Sequence, residues 1–305
     1  MSKSVLDVVP WPCSLTLGDS DTLIQGLQGM LIVWHNFLHV FYAGGCLCTP
    51  SDDDRCNNIA GAIRDLRVNY LLTTPSLART LDPAAVPDLK RIVFGGELLN
   101  RDDVARWGPN VEIRDSYGPS ECTVTSAIAV YGQDFTTKVS LGRACCLNAW
   151  IASCLQPHAL APIGATGELV LESPMIGRGY LKDPDRTEAS FICDPPWLLR
   201  GGSGMTVSGR KGRLYKTGDL VKYDSRGILT FMGRKDTQVK IRGQRVELEE
   251  IEVHARRSLG ESFAVAVEMI EINVGASKSQ VLMMFLSVKT FLPKRSRGSV
   301  ITGAD

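Results

Sequence analysis

An alternation of helical and strand-like segments begins near residue 52 and constrains the fold more than any other feature of the sequence. Apolar residues recur at helical spacing between Ile59 and Leu66. Apolar runs of strand length then occur at residues 69–73, 90–94 and 111–114. Helices that alternate with short buried strands are typical of parallel sheets. The sequence therefore predicts an α/β fold with a helix-covered parallel sheet.

The pattern changes near Ser140, where strand-like segments replace the helices. Strands are predicted at residues 167–172, 212–223 and 228–233, with a turn at 224–227. This part of the chain is therefore predicted to be rich in β-structure. The Pro-, Gly- and Ser-rich stretch at 195–211 is interpreted as a surface loop. It is not interpreted as a phosphate-binding loop, because no strand leads into it and no Lys-Ser/Thr pair follows.

The last part of the chain predicts a small α+β module. Residues 237–241 and 244–247 are predicted to pair as a hairpin, and the amphipathic pattern at 248–259 predicts a helix. Two further strands are predicted at residues 263–270 and 281–288.

Charge and cysteine usage exclude several classes of protein. The net charge of +1 gives no electrostatic footprint for nucleic acid or an anionic membrane, so neither is an expected partner. The nine cysteines show no repeated C-x2-C pairs, which argues against a structural zinc site. We expect free, mostly buried thiols and a cytoplasmic location, because no secretory signal opens the sequence.

Two short motifs place glycine or aspartate at a strand end or turn. Gly95 and Gly96 follow an apolar run, and the absence of a Cβ there lets a flat ligand approach the backbone closely. In the segment 215–220, Asp219 can accept hydrogen bonds from the vicinal hydroxyls of a ribose. Taken singly, each motif is better interpreted as an ordinary turn.

A third motif spans residues 115–122 and combines an aromatic ring, a hydroxyl and a carboxylate. Tyr117 offers a ring that can stack on a base, and the hydroxyl of Ser120 can donate to a phosphate oxygen. Glu121 supplies the hard oxygen ligand that Mg²⁺ prefers. The alternative is a polar turn in which Ser120 caps a helix. On this segment alone the two interpretations are equally good.

A fourth motif, residues 233–247, alternates charged and apolar residues around Gly243 and by itself indicates a solvated hairpin. Taken in order, the four motifs resemble the adenylate-forming superfamily, and most closely the adenylation domains of nonribosomal peptide synthetases. The segment from residue 167 to residue 191 is similar to that family's central motif. The resemblance covers about residues 45–290.

The resemblance implies an ATP- and Mg²⁺-dependent activation of an amino acid as acyl-adenylate, followed by transfer to the phosphopantetheine arm of a carrier protein. Tyr117 would stack on adenine, and Asp115 would stand where the family usually has an adenine-contacting asparagine. Asp219 would bind the ribose, and Glu121 would bind Mg²⁺. Catalytic roles are implied for Ser120, Glu121 and Arg234, with Ser120 and Arg234 near the phosphates. Nucleotide binding is implied for Gly95 and Gly96, and a hinge for Asp236. The acid side chain would contact Leu72, Val93, Gly95, Ser116, Val124 and Thr125.

Three features of the family have no match in the sequence. These are a Ser/Thr/Gly-rich phosphate loop upstream of residue 90, the aspartate that anchors an α-amino group, and a terminal lysine after residue 289. Each lost electrostatic contact of this kind costs about 3 to 4 kcal/mol of transition-state stabilisation. We therefore expect adenylation by this chain alone to be very weak or absent. Two alternatives stay open: an acyl- or aryl-CoA ligase, and a non-catalytic nucleotide-binding or inert remnant.

The resemblance also implies a partial adenylate-forming fold with four segments. These are residues 1–45 (unassigned, aberrant), 46–146 (part of the large α/β core), 147–235 (β-rich) and 236–305 (an incomplete C-terminal α+β subdomain).

Overall fold

The computed structural model describes residues 22–25, 40, 42, 44–108, 110–131, 139–156, 158–201, 208–241, 244–260, 262–274 and 277–288. Two compact units make up the chain. The first contains residues 1–236 and 240–244, and the second contains residues 237–239 and 245–305. The first unit therefore combines the segments predicted as an α/β core and a β-rich subdomain, whose mutual boundary remains a prediction.

A seven-stranded mixed sheet forms the amino-terminal part of the first unit, in the order β2-β1-β3-β4-β5-β6-β7. Its strands are β1 (Thr22–Gln25), β2 (Cys46–Cys48), β3 (Tyr70–Thr73), β4 (Arg91–Gly95), β5 (Glu112–Tyr117), β6 (Ala127–Tyr131) and β7 (Arg143–Ala144). The first five strands in sheet order are parallel, whereas β6 and β7 run antiparallel to their neighbours. The predicted parallel sheet is confirmed and carries an antiparallel edge.

Short helices accompany this sheet, among them α1 (Asp52–Asn57), α2 (Ile59–Asp65), α3 (Pro75–Ala78) and α4 (Arg101–Trp107). Helix α4 begins at a capping box, in which the Asn100 side chain accepts from the backbone of Asp103 and the Asp103 side chain accepts in return. One core cluster unites α2 and α4 with the strands, through residues such as Ile63, Trp107 and Phe94. The helices therefore bury one face of the sheet.

An antiparallel sheet forms the rest of the first unit, in the order β10-β11-β9-β8 with β12 also paired to β11. Its strands are β8 (Asn148–Ala152), β9 (Gly167–Glu172), β10 (Phe191–Cys193), β11 (Arg213–Tyr223) and β12 (Leu229–Arg234). Gly227 closes the predicted turn between β11 and β12, with a positive φ of 72° and a 3.0 Å bond from its N–H to the carbonyl of Asp224.

The helices α5 (Pro184–Ser190) and α6 (Pro196–Arg200) belong to the same part of the chain. The prediction of a surface loop over 195–211 is wrong for α6, because Trp197 and Leu198 are buried there against β-strands. The glycines at 202–204 lie outside the described residues.

The described residues of the second unit include the helix α7 (Leu248–Leu259) and a two-stranded sheet of β15 (Phe263–Val274) and β16 (Ser277–Val288). Strands β13 (Gln238–Ile241) and β14 (Gln244–Glu247) pair as the predicted hairpin, whose turn at 242–243 lies outside the described residues. Leu248 and Ile251 of α7 pack with Val265 and Val267 of β15. The apolar stripe of α7 therefore packs against β15.

The eight described cysteines are free thiols, but five of them are exposed, so the expectation of mostly buried thiols is wrong. Among the described residues, no helix has the length and apolarity needed to cross a membrane.

Candidate functional site

Tyr117 and Asp219 meet where the two sheets of the first unit approach one another. Tyr117 is the last residue of β5, and its hydroxyl donates to Oδ2 of Asp219 in β11. The tyrosine ring packs against the core that both sheets share, near Ala127 and Leu169. Burial, followed by the negative charge of Asp219, raises the pKa of Tyr117 well above its usual value. The phenol therefore stays protonated and remains a donor at neutral pH.

Asp219 is positioned by a β-bulge, and the predicted tight turn is wrong at this point. The register of β11 against β9 shifts here, and Gly218 adopts a positive φ of 74°. The hydroxyl of Thr217 donates to the carbonyl of Leu169 at 2.9 Å and accepts from the N–H of Asp219 at 3.0 Å. These bonds fix the backbone from which the Asp219 carboxylate projects.

Arg234 connects Asp219 with Asp236. Its Nη1 donates to Oδ1 of Asp219 at 2.6 Å, while its Nε and Nη2 donate to the two oxygens of Asp236, also at 2.6 Å. Burial alone would lower the pKa of Arg234, but the two carboxylates outweigh that effect and raise it. Three of the predicted residues, Tyr117, Asp219 and Arg234, therefore form one network with the predicted hinge residue.

Ser120 and Glu121 begin a short 3-10 helix directly after the turn that follows Tyr117. Pro119 is the N-cap residue and no side chain caps this helix, so the capping interpretation of Ser120 is wrong. Oε1 of Glu121 accepts a 2.7 Å hydrogen bond from the hydroxyl of Tyr180. Tyr180 was not among the predicted site residues, although it lies in the Gly-Arg-Gly-Tyr sequence at 177–180.

Four residues predicted to contact the acid side chain share one face of the seven-stranded sheet. Leu72 is in register with Val93, and Gly95 is in register with Ser116. Because side chains alternate along a strand, Leu72, Val93 and Ser116 project to the same side. At Gly95 an added Cβ would find its nearest neighbour, the carbonyl of Ser116, at 3.4 Å, so the backbone is open to approach there.

The two other predicted contacts, Val124 and Thr125, follow the 3-10 helix. The hydroxyls of Thr125 and Ser116 lie 3.0 Å apart, which joins this loop to the strand face. Thr123 and Val124 have positive φ values of 58° and 71°. Such values are rare for β-branched residues and store strain, a feature that clusters at functional sites.

Asp115 lies in β5 and projects to the opposite face from Ser116, by the same alternation. It is buried, and burial raises its pKa from 3.8 to about 7. The charge of Asp103 adds to this effect, whereas Lys240 opposes it. A neutral carboxyl donates as well as accepts, so the protonated form of Asp115 has the hydrogen-bond donor that an ionised aspartate lacks.

Comparison with known families identifies this arrangement. A family model described as AMP-binding enzyme matches residues 17–181, which is more than half of the 305 residues. The chain belongs to the AMP-binding enzyme family. The AMP-binding match reaches further toward the amino terminus than the sequence motifs did, since it begins at residue 17 and includes β1, a strand that the sequence analysis did not predict.

The AMP-binding relatives with known names include several fungal nonribosomal peptide synthetases. One from Aspergillus campestris is 48% identical over 257 residues, which is 84% of this chain and 3% of that protein. Peramine synthetase A of Epichloe festucae is 46% identical over 238 residues, which is 78% of this chain and 8% of that protein. The chain therefore spans only a small part of the length of these relatives.

Solved structures of AMP-binding proteins show the same fold. The Vibrio cholerae adenylation domain AlmE, in complex with glycyl-adenosine-5′-phosphate, is 29% identical with a TM-score of 0.66, and the match covers 82% of this chain and 47% of that one. PA1221, a protein with adenylation and PCP domains, is 25% identical with a TM-score of 0.69, covering 88% and 53%. The chain corresponds to about half of each solved chain.

Proposed function

We propose that this chain provides the nucleotide-binding half of an amino-acid-activating site, which forms an acyl-adenylate from an amino acid and MgATP for transfer to a carrier-protein thiol. The observation that carries the proposal is the convergence of Tyr117, Asp219 and Arg234 at one place. The names of the relatives and of the AlmE and PA1221 structures support the substrate and carrier-protein classes. A cytoplasmic location belongs to the same proposal.

The residues present fit an adenine nucleotide. The two oxygens of Asp219 now accept one bond each from Tyr117 and Arg234, and a carboxylate can accept about four. Two ribose hydroxyls can therefore donate to Asp219 while Arg234 keeps its bond. The ring of Tyr117 can stack on the base, and Arg234 adds positive charge near the phosphates.

The carboxylate of Glu121 fits Mg²⁺. This ion is commonly held by one or two carboxylates together with substrate phosphates and water, and it needs no cage of protein ligands. When bound, it neutralises charge on the phosphates. The bond from Tyr180 to Oε1 orients the carboxylate of Glu121, and the hydroxyl of Ser120 is exposed beside it to meet a phosphate oxygen.

Calorimetric titration with MgATP, combined with amino-acid-dependent ATP–pyrophosphate exchange, tests the proposal. We expect binding that Asp219→Asn weakens at least tenfold and that Asp185→Asn leaves unchanged, because Asp185 is an exposed acid at the start of α5. Exchange by this chain alone is expected to be very slow. A chain that fails to bind MgATP contradicts the proposal.

One alternative is a nucleotide-binding module without chemistry. Binding with no detectable exchange, even after addition of segments that carry the family's phosphate loop and terminal lysine, would favour it. The other alternative is an acyl- or aryl-CoA ligase. Acceptance of the acyl group by coenzyme A in place of a carrier protein would favour that branch, whereas the peptide-synthetase relatives favour the carrier protein.

A further inference from the structure

Arg234 is anchored more firmly by Asp236 than by the residue it is expected to support. Two of the three bonds that its guanidinium donates to these carboxylates go to Asp236, in the side-by-side geometry that guanidinium and carboxylate groups share. The third goes to Asp219. The Arg234 side chain is 18% exposed and that of Asp219 is 11% exposed, whereas Asp236 is 46% exposed. The exposed acid therefore orients a largely buried cation.

The backbone near these side chains leaves space for the Arg234–Asp236 ion pair. The N–H of Lys235 donates to the carbonyl of Gly218 at 2.8 Å, which brings the end of β12 against the bulge of β11. A Cβ added at Gly218 would lie 2.7 Å from Nη2 of Arg234 and 3.1 Å from Oδ2 of Asp236. The missing side chain at Gly218 thus leaves the space that the Arg234–Asp236 pair occupies.

We propose that Asp236 is a positioning residue for the ribose of the nucleotide: it fixes the Arg234 guanidinium, which in turn holds the Asp219 carboxylate in the orientation that accepts the ribose hydroxyls. This inference rests on the proposed function and gives Asp236 a role besides that of a hinge. Arginine has a long flexible stem, and its planar head needs a second anchor to keep a single orientation. Without Asp236, Arg234 and then Asp219 lose that fixed orientation.

The test uses the full 305-residue chain and two ligands that differ only in the ribose hydroxyls, AMP and 2′,3′-dideoxy-AMP. Affinities are measured by calorimetric titration for the unchanged chain and for Asp236→Asn. We expect Asp236→Asn to weaken AMP binding about tenfold, the size of one charge-assisted hydrogen bond, and to change dideoxy-AMP binding by less than about twofold.

Asp224→Asn is the matched control. Asp224 also pairs with an arginine two residues away, Arg226, through bonds of 3.0 and 2.9 Å on an exposed turn of the same sheet. We expect this variant to bind both ligands as the unchanged chain does.

Two results overturn the inference alone: an unchanged AMP affinity in Asp236→Asn, or equal losses for AMP and dideoxy-AMP, which would show a general structural role. An unchanged chain that binds neither ligand overturns the proposed function itself. If Asp236→Asn does not fold, Asp236→Ser takes its place, since it also removes the carboxylate that pairs with Arg234. This variant must again lose affinity for AMP and not for dideoxy-AMP. An unaltered AMP affinity would contradict the inference.

Discussion

The hydroxyl of Tyr117 donates a hydrogen bond to the carboxylate of Asp219, a residue 102 positions further along the chain. The bond joins the end of a strand in the seven-stranded sheet to a bulge in the antiparallel sheet. It brings together the two residues that the sequence motifs assigned to base and ribose. The contact therefore gives the proposed nucleotide site a definite location in the first unit.

Replacing Tyr117 separates the role of its ring from that of its hydroxyl. Tyr117→Phe keeps the ring and should lower the free energy of unfolding by about 1 to 2 kcal/mol, because Asp219 loses a buried donor. Its affinity for AMP should stay within about threefold. Tyr117→Ala also loses stacking, which is typically about 1 to 3 kcal/mol per base, so its AMP affinity should fall at least tenfold. Calorimetric titration and denaturant unfolding measure both effects.

Tyr131→Phe is the control for that comparison. Its hydroxyl bonds to the backbone of Ser140 at 2.9 and 3.2 Å, away from Asp219. We expect a similar loss of stability with no change in AMP affinity. Equal AMP affinities for Tyr117→Phe and Tyr117→Ala would show that the ring does not stack on the base.

Asp115 should make the stability of the protein depend on pH. Its pKa is about 7 in the folded chain, against 3.8 for an unperturbed aspartate. Between these pH values the folded state holds a proton that the unfolded state has released, so stability falls as pH rises. Above pH 7 the ionisation of Asp115 lowers the free energy of unfolding by an amount on the order of 4 kcal/mol. Below pH 3.8 it no longer lowers this free energy, because the carboxyl is protonated in both states.

Asp115→Asn removes this ionisable group, so comparison with the unchanged chain gives the effect of the ionisation on stability. The variant should melt several degrees above the unchanged chain at about pH 8, and the difference should shrink toward zero near about pH 4. Thermal melting followed by circular dichroism across this pH range provides the readout. A difference that does not vary with pH would show that the carboxyl is not buried as described.

Gly218→Ala should be more harmful than an alanine at another left-handed glycine. Both Gly218 and Gly164 have positive φ values, 74° and 84°, so each variant has a backbone cost of about 1 to 2 kcal/mol. At Gly164 nothing lies within 4 Å of the added Cβ, whereas at Gly218 it meets the Arg234–Asp236 pair. We expect Gly218→Ala to weaken AMP binding and Gly164→Ala to leave it unchanged. Equal effects of the two variants on AMP affinity would contradict the contact at Gly218.

Trp197 should contribute strongly to stability, although the sequence pattern placed it in a loop. It is buried, and its ring centroid lies 5.0 Å from that of Trp150. Trp197→Ala should lower the free energy of unfolding by about 3 to 5 kcal/mol. Leu199 on the same helix is 46% exposed, so Leu199→Ala should lower the free energy of unfolding far less. Denaturant unfolding of the two variants tests the burial of α6.

Periodic segments were the parts of the fold that the sequence predicted best. Helix α7 and strand β9 have the bounds expected from their patterns, 248–259 and 167–172. Helix α6 was missed because its five residues complete little more than one turn and are flanked by Pro and Gly. Strand β1, with the sequence Thr-Leu-Ile-Gln, was missed because its two apolar residues are too few to make an apolar run or an alternating pattern.

The candidate site followed from residue types, but its geometry did not. Tyr117 and Asp219 stood out because a ring suits a base and a carboxylate suits a ribose, whereas the role of Arg234 came only from the family resemblance. Their mutual contacts depend on the bulge at Gly218 and on the pairing of β11 with β12, which are long-range features. The anchoring of Arg234 by Asp236 depends on the same pairing, so no local pattern showed it.

Photolabelling with 8-azido-ATP tests the central claim most directly, because it marks the residues nearest the base. The account predicts a covalent adduct on the tryptic peptide that begins at Asp115 and contains Tyr117, and predicts that excess AMP and the Asp219→Asn substitution both suppress it. Labelling of other peptides only, or labelling of the Tyr117 peptide that neither AMP nor Asp219→Asn reduces, would contradict the account.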